Sequence, residues 1–212
     1  MKKLMKVLLF CLPFVLVPNS TIALSYQDVY GSDFSHPERV NKIKQVDIQP
    51  VAISPKIFMP HDFTYVSMNV PTNLPAKYYD KYLANTPIAG HGWVFEKIEK
   101  ATGVNGVFLF GITGAEQTFG KSESKHVLER NNYTSIRALD RDHNKSQSFD
   151  DLEDCIRQTA ILLKRDYFTK GGKYYTGNKV QEVNSKFSST PTWYKDVLFF
   201  MHSLTEIYYD TK

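Results

Sequence analysis

Apolar residues recur at helical spacing in the middle of the chain. Positions i, i+4 and i+7 of one segment are occupied by Val94, Ile98 and Ala101. This pattern ends at Gly103, a residue typical of a helix C-terminus. Asn105 is a suitable N-cap for a second helix, which continues through Gln117. The pattern therefore predicts two short helices separated by a tight turn.

Two longer helices are predicted nearer the C-terminus. Ser148 and Asp151 have the spacing of a capping box, which opens a helix. The apolar face of this helix consists of Leu152, Ile156, Thr159 and Leu163. Thr190 and Pro191 open the last helix. Its apolar stripe consists of Trp193, Val197, Phe200, Leu204 and Ile207. Between these two helices, Asn178 can cap a shorter one.

The chain before these helices has a different pattern. Residues 25–73 lack a helical period and contain Pro37, Pro50, Pro55, Pro60 and Pro71. We interpret this segment as an extended arm or linker and assign residues 74–212 to one domain. The predicted fold class is mainly α, with at most a small loop or β lobe between Ser122 and Gln147, preceded by the extended N-terminal arm.

The first 24 residues have the build of a signal peptide. Three lysines precede an apolar run of about eleven residues, and small residues follow this run up to Ala23. The run is shorter than the roughly 20 residues that a membrane-spanning helix needs. We expect cleavage near Ala23 or Leu24. An uncleaved signal anchor is the alternative, and only in that case is a membrane expected as a partner.

The charge and the cysteine content argue against a nucleic-acid binder and against a fold stabilised by disulfide bonds. The formal charge is +4, and loss of residues 1–24, with three lysines and no acid, leaves +1. Nucleic-acid binders usually have a dense basic face, so no nucleic-acid partner is expected. Cys155 is the one cysteine after residue 24, so no intramolecular disulfide can form. Stability must therefore come from packing.

Glu116 is the candidate for chemistry in the second predicted helix. It lies beside an apolar stripe, one turn after Ile112 and two turns after Leu109. Apolar surroundings raise the pKa of a carboxyl group, and a general acid needs this in order to stay protonated near neutral pH. Gly111 and Gly114 suggest a bare backbone that a sugar could approach, with Gly120 at the helix end. The alternative is an ordinary surface acid paired with a residue such as Lys121.

The segment AEQTFGKS, residues 115–122, is similar to the ESxxGxS-type signature of bacterial endo-β-N-acetylglucosaminidases of glycoside hydrolase family 73. That family belongs to the lysozyme-like superfamily. Four downstream segments resemble family counterparts in the same order, NNYTSIRALD, SFDDLEDCI, GGKYYTG and STPTWYKDV, and residues 74–114 resemble the family's lead-in. The resemblance covers roughly Leu74 to Tyr208 and implies a lysozyme-like helical domain.

The resemblance also implies roles for individual residues. Glu116 matches the acid of the signature and is the implied general acid. The implied substrate-binding residues are Ser122, Asn132, Tyr133, Tyr174, Tyr175 and Trp193. Ser122 and Asn132 match positions that shape the cleft wall, whereas the aromatic rings suit the apolar C–H faces of sugars. For Trp193, packing in the core is the alternative.

Several residues depart from the family pattern. Gln117 stands where a small residue usually follows the acid, and Phe119 stands where a tryptophan is usual. Thr134, Ser135 and Ile136 replace an FGI-like piece. Phe187 occupies a position where relatives often carry a tyrosine, so a hydroxyl near the reacting sugar is missing. The departures at Gln117 and Phe187 favour, as an alternative, a wall-binding or scaffold module that has lost catalysis.

The second catalytic group is left open. A two-carboxylate mechanism needs another acid across the cleft. Four acids lie in the segment that could form the opposite lobe, namely Glu123, Glu129, Asp140 and Asp142. Asp140 and Asp142 are the preferred candidates, and surface charge is the alternative for all four. If the cut follows N-acetylglucosamine, the acetamide of the substrate could assist instead.

Other chemistries lack their sequence signals. The six histidines show no metal-ligand spacing, and no P-loop, dinucleotide-binding glycine pattern or Gly-x-Ser-x-Gly occurs. Cys155 is surrounded by acids, which disfavour a thiolate. No metal or cofactor is expected.

The sequence thus predicts a peptidoglycan hydrolase that cleaves the glycan strand after N-acetylglucosamine. A muramidase and a lytic transglycosylase are alternatives, because one fold with one glutamate supports all three reactions. The expected partner is the glycan strand of peptidoglycan, and we expect a monomer that is secreted or associated with the cell wall.

Overall fold

The computed structural model describes residues 56–138 and 146–212. The predicted signal peptide, most of the predicted arm, Asp140 and Asp142 lie outside these ranges. Within them the helices are α1 (Ala76–Leu83), α2 (Gly92–Thr102), α3 (Gly106–Gln117), α4 (Lys125–Leu128), α5 (Leu152–Leu162), α6 (Val180–Phe187) and α7 (Trp193–Asp210). A 3-10 turn, Thr118–Gly120, follows α3, and a π-helical segment, Leu163–Phe168, extends α5. The described residues contain no strand, so the predicted small lobe consists there of loops and α4.

Helix α3 is the centre of the domain. Its residues from Gly106 to Gly114 are all buried, because the segment is apolar around its whole circumference. Helix α7 packs along it most extensively, and α2 and α5 also contact it. Helix α1 packs on α2 and α7, and α6 packs on α7. No helix within the described ranges combines the length and the apolar character needed to cross a membrane.

Two glycines of α3 allow α7 to approach closely. A Cβ at Gly111 would lie 2.9 Å from the carbonyl oxygen of Val197, and one at Gly114 would lie 2.6 Å from the ring of Phe200. The expectation that Gly111 and Gly114 leave room for a sugar is therefore wrong, because α7 fills that space. Gly120, the third glycine of this prediction, is not packed against α7. It lies in the 3-10 turn, beside the ring of Tyr133.

Gly111→Ala is expected to destabilise the fold. In an exposed helix this change would stabilise by about 1 kcal/mol, whereas overpacking a core costs about 1–3 kcal/mol. Overpacking should dominate because the added methyl meets the backbone of Val197 as well as a side chain. Urea unfolding of the variant should give a lower midpoint than the wild type. A higher midpoint would show that α7 can move aside without cost.

The tight turn between α2 and α3 confirms the first prediction. Gly103 has a φ of 73°, in the left-handed region, and its N–H donates to the carbonyl of Glu99. Asn105 caps α3, because its Oδ1 accepts from the N–H of Phe108 at 2.9 Å. Helix α3 ends at Gln117, as predicted. These ends are set by residues within one turn of them.

Three other predicted helix starts are wrong by one to three residues. Asp151, and not Ser148, caps α5, because its Oδ1 accepts from the N–H of Asp154 at 2.8 Å. The hydroxyl of Ser148 is instead a hydrogen-bond acceptor for Arg130. The cap of α6 is Lys179 and not Asn178.

The last helix also begins later than predicted. Helix α7 starts at Trp193, whereas Thr190 and Pro191 lie in the turn before it. The Thr190 carbonyl accepts from the amide of Asn184 in α6 at 3.0 Å, which holds this turn in place. The predicted stripe is otherwise correct, with Trp193, Val197 and Leu204 buried.

The N-termini of the first three helices receive acceptors from neighbouring helices. Asp80 of α1 accepts from the first N–H of α2, that of Gly92, at 2.7 Å. In return Glu96 of α2 accepts from the first N–H of α1, that of Ala76, at 2.6 Å. The exchange satisfies donors that a helix cannot satisfy itself. It also fixes α1 against α2.

Glu99 is a fully buried acid that joins three segments. Its carboxylate accepts from the N–H and hydroxyl of Thr72, both at 2.8 Å, and from the N–H of Asn73 at 2.6 Å. It also accepts from Gly106, the first residue of α3, at 2.5 Å. Burial raises the pKa of Glu99, and the four donors act in the opposite direction.

Residues 56–73, the described end of the predicted arm, pack against the helices. Met59, Phe63 and Met68 are buried in the main core. The N–H of Met68 donates to Asn178, and its carbonyl accepts from Asn105. This segment contains turns but no helix or strand, and it belongs to the same compact unit as the helices.

Candidate active site

Glu116 lies in the last turn of α3 and faces the start of α7. Its Oε1 accepts from the indole N–H of Trp193 at 2.7 Å. The side chain of Trp193 is only 5% exposed, whereas Glu116 is half-buried. The partner of the acid is thus an indole and not Lys121. The ring of Trp193 belongs to the core, as the alternative for this residue predicted, and its N–H bonds to the candidate acid, a contact that the sequence did not predict.

The surroundings of Glu116 favour its neutral form. Burial raises the pKa of this carboxyl group above its ordinary value. The hydroxyl of Ser135 and the indole of Trp193 partly oppose this effect by hydrogen bonding. None of these influences on the pKa of Glu116 comes from a charged group. The result is an acid with a raised pKa that the neutral indole N–H of Trp193 still orients, which suits proton donation.

Gln117, the residue after the acid, organises the loop that follows. Its side-chain Oε1 accepts from the hydroxyls of Ser122 and Ser124, each at 2.7 Å. Its Nε2 donates to the hydroxyl of Ser135 at 2.8 Å. The side chain is buried, and its hydrogen-bond partners are these three hydroxyl groups. Gln117 therefore connects the turn after α3 to the loop at 131–138.

The chain turns sharply immediately after Glu116 and Gln117. Thr118 and Phe119 have φ values of 47° and 56°, a left-handed conformation that costs non-glycine residues about 1–3 kcal/mol each. The ring of Phe119 offsets this cost by packing against Phe110 and Phe200, with centroid distances of 4.5 and 5.3 Å. The buried ring thus holds a turn that ends α3 next to the candidate acid.

A row of aromatic rings extends from the acid. Trp193 stacks on Phe187 with centroids 4.8 Å apart, and Phe187 contacts Tyr167 at 5.8 Å. Tyr167 in turn contacts Tyr174 at 5.2 Å. Tyr175, the next residue, is 38% exposed. The structure therefore links Tyr174 to Glu116 through ring contacts, and Phe187 contributes to this row by stacking.

The other predicted substrate-binding residues surround the turn and its loop. Ser122 is exposed and bonded to Gln117. Tyr133 is half-buried and borders both hydrophobic clusters of the domain. Asn132 is fully buried, and its amide donates to the carbonyls of Ile136 at 2.8 Å and Gln147 at 3.4 Å. Asn132 therefore braces the loop from inside.

Of the four candidates for a second carboxylate, Glu123 and Glu129 lie within the described residues. Asp140 and Asp142 lie in the 139–145 gap. Glu123 and Glu129 are exposed, and Glu123 has a left-handed φ of 48°. No group of three potential metal ligands occurs in the ranges 56–138 and 146–212.

Sequence reasoning overlooked two residues of this site. Ser135 and Gln117 were noted only as departures from a family pattern, although both contact the surroundings of Glu116. The available signal was the position of a buried polar residue directly after the acid. A buried amide must find partners, and three serines follow within eighteen residues.

Comparisons with known proteins identify the fold. No protein-family model and no curated protein matches the chain. Among solved structures, a catalytic mutant of Staphylococcus aureus autolysin E in complex with the disaccharide NAG-NAM matches with a TM-score of 0.57 and 16% identity, over 71% of this chain and 75% of that one. S. aureus autolysin E in complex with the muropeptide NAM-L-Ala-D-iGlu matches with a TM-score of 0.55 and 15% identity, over 69% and 73%. The chain thus shares the fold of these autolysin E structures, and the predicted mainly α fold is confirmed.

Proposed function

We propose that this protein is a peptidoglycan hydrolase, an endo-β-N-acetylglucosaminidase with Glu116 as its general acid. The observation that carries the proposal is the half-buried Glu116, whose pKa is raised by burial and whose carboxyl group is bonded to Trp193. The shared fold supports it, because structures with this fold hold a peptidoglycan disaccharide and a muropeptide.

In the proposed reaction, neutral Glu116 donates its proton to the oxygen of the glycosidic bond. The bond between this oxygen and the anomeric carbon breaks, and positive charge develops on the sugar ring. Trp193 then stabilises the new Glu116 carboxylate through its N–H. A water molecule attacks the anomeric carbon and returns a proton to Glu116. Asp140, Asp142 or the substrate's own acetamide would stabilise the developing charge.

The glycan strand is the proposed partner. Exposed Tyr175 and half-buried Tyr174 and Tyr133 offer aromatic faces to the C–H faces of sugar rings. Ser122 would line the same region from the turn after α3. A protein that acts on this polymer must reach the wall, which agrees with the signal peptide predicted for residues 1–24 and with a secreted or wall-associated location.

Trp193→Phe is expected to move the pH dependence of hydrolysis. Phenylalanine can keep the stacking on Phe187 but cannot donate to Glu116. Loss of the donor destabilises the charged carboxylate, so the pKa of Glu116 rises and the acid stays protonated to higher pH. The high-pH limb of the kcat profile should therefore move upward, and kcat should fall about three- to tenfold, as for one lost hydrogen bond. Trp93→Phe, at an exposed position on α2, is the matched control.

The proposed function is tested by digesting purified peptidoglycan, reducing the released fragments and measuring their masses. A glucosaminidase leaves N-acetylglucosamine at the new reducing end. Reducing-end N-acetylmuramic acid would identify a muramidase, and an anhydro sugar would identify a lytic transglycosylase. A protein that pellets with the wall but releases nothing would be a binding or scaffold module, and the enzyme proposal would be wrong.

A further inference from the structure

Helix α7 begins with Trp193, and the side chain of the residue before it, Thr192, does not cap it. The first N–H groups of a helix have no acceptor within the helix. Carbonyl groups of the preceding turn accept from two of them, those of Trp193 at 3.2 Å and of Lys195 at 2.9 Å. The N–H of Tyr194 lies between these two, and its acceptor is the side-chain oxygen of Asn184 in α6, at 3.1 Å. The start of α7 is thus capped from a different helix.

The amide of Asn184 holds the backbone on both sides of Trp193. Its Oδ1 accepts from the N–H of Tyr194, and its Nδ2 donates to the carbonyl of Thr190 at 3.0 Å. A backbone N–H can only donate and a carbonyl oxygen can only accept, so these two partners fix the orientation of the amide. The Thr190 carbonyl also accepts from the N–H of Trp193 itself. The side chain of Asn184 is 4% exposed, so water competes little for these bonds.

Helix α6 also contacts the ring of Trp193. Phe187 lies three positions after Asn184, so the two side chains are neighbours on one face of α6. The Phe187 ring stacks on the indole with centroids 4.8 Å apart and an angle of 25° between the rings. The turn residues 189–192 are exposed, so their own packing does little to hold this end of α7. Both the backbone and the ring of Trp193 are therefore held from α6.

We propose that Asn184 is a positioning residue, which fixes the first turn of α7 so that the Trp193 indole donates to Glu116. The indole N–H reaches Oε1 of the acid at 2.7 Å. Because a hydrogen bond depends on the direction of its donor as well as on distance, a rotation of this turn would weaken the bond. The inference rests on the proposed function only for its effect on catalysis, since the contact between indole and carboxyl group exists without substrate.

The indole N–H signals in NMR spectra test this inference. The chain has two tryptophans, Trp93 and Trp193, so the Trp193 signal is assigned from its absence in Trp193→Phe. In the wild type its shift should follow the protonation of Glu116, and this response should disappear in Glu116→Gln. In Asn184→Ala the response should be lost, and the proton should exchange with water about three- to tenfold faster, as for one lost hydrogen bond. Trp93, which is 42% exposed on α2, provides the internal reference and should not change.

Two further variants separate positioning from a general loss of structure. Asn184→Asp keeps an acceptor for the N–H of Tyr194 but loses the donor to Thr190, so its exchange rate should lie between those of the wild type and Asn184→Ala. Asn69→Ala makes the same chemical change at a half-buried position whose side chain accepts from Lys164, and both indole signals should stay unchanged. Thermal melting shows which variants are folded.

Wild-type behaviour of the Trp193 signal in folded Asn184→Ala would overturn the inference. If that variant does not fold, Asn184→Asp decides, and a wild-type exchange rate there would contradict the proposal. On peptidoglycan, Asn184→Ala should lower kcat by no more than Trp193→Phe does, and the double variant should lose no more than Trp193→Phe alone. Single losses that multiply in the double variant would show that Asn184 acts independently of the indole. A wild type without hydrolytic activity would refute the proposed function, whereas the indole signals would still decide the role of Asn184.

Discussion

Glu116→Gln is expected to lower kcat on peptidoglycan by about 10²- to 10⁴-fold, the usual contribution of a general acid. The glutamine oxygen can still accept from the Trp193 indole, so the position of the side chain should be kept. The amide has no proton to give to a leaving oxygen in the accessible pH range. Release of reducing ends from purified peptidoglycan, followed over time, measures the loss.

A matched control separates the loss of the proton donor from a general effect of a Glu-to-Gln substitution on the protein. Glu206→Gln makes the same chemical change at an exposed position of α7 and should retain wild-type activity. Glu116→Gln should also pellet with the wall as the wild type does, since the aromatic row is unchanged. Hydrolysis by Glu116→Gln within tenfold of the wild-type rate would exclude Glu116 as the proton donor.

Glu99→Ala is expected to cause the largest loss of stability among single changes in the described part of the chain. The substitution leaves the buried N–H groups of Thr72 and Gly106, and the part-buried N–H of Asn73, without their acceptor. Each such group costs about 1–3 kcal/mol, so the total loss should be about 3–5 kcal/mol, comparable to breaking a buried ion pair. At about 2–4 °C per kcal/mol, differential scanning calorimetry should show a clearly lower Tm.

A graded series tests the assignment of this loss to hydrogen bonding. Glu99→Gln can keep the acceptor for Thr72 and Gly106 but opposes an N–H₂ group to the N–H of Asn73. It should therefore be destabilised by less than Glu99→Ala. Glu153→Gln removes a surface ion pair with Lys97 and should cost only about 0–1 kcal/mol. Equal losses in the Gln and Ala variants at position 99 would contradict this explanation.

Local signals explain which helix ends could be predicted. Gly103 and Asn105 act within one turn of their own helices, so the sequence alone indicates both positions. The start of α5 was misplaced by three residues because Ser148 and Asp151 are both good caps. Arg130, from a distant part of the chain, uses the Ser148 hydroxyl instead. That choice depends on tertiary contacts.

The acceptors for the other helix starts could not be predicted for the same reason. Asp80 and Glu96 each serve the neighbouring helix and not their own. Glu99 serves α3, which begins seven residues later. A sequence pattern indicates that a helix has an acid on one face, but not which backbone that acid meets.

In the candidate site, too, some features follow from the local sequence and others depend on tertiary contacts. Apolar neighbours along α3 suffice to predict a half-buried Glu116 with a raised pKa. The contact with Trp193 joins residues 77 positions apart and depends on how closely α7 approaches α3. That approach depends on the glycines of α3, whose absent side chains were interpreted as space for substrate. Packing between helices therefore determines the contact between Trp193 and Glu116, which the local sequence pattern cannot predict.

The direction of α3 has a consequence for its two acids. A helix carries partial positive charge at its N-terminus and partial negative charge at its C-terminus. Glu99 accepts from the first N–H of α3, whereas Glu116 lies in its last turn, about 15 Å along the axis. Burial raises the pKa of both carboxyl groups. The helix field favours the anion at Glu99 and the neutral acid at Glu116. One helix thus supports opposite charge states at its two ends, the anion at the structural acid and the neutral form at the proposed catalytic acid.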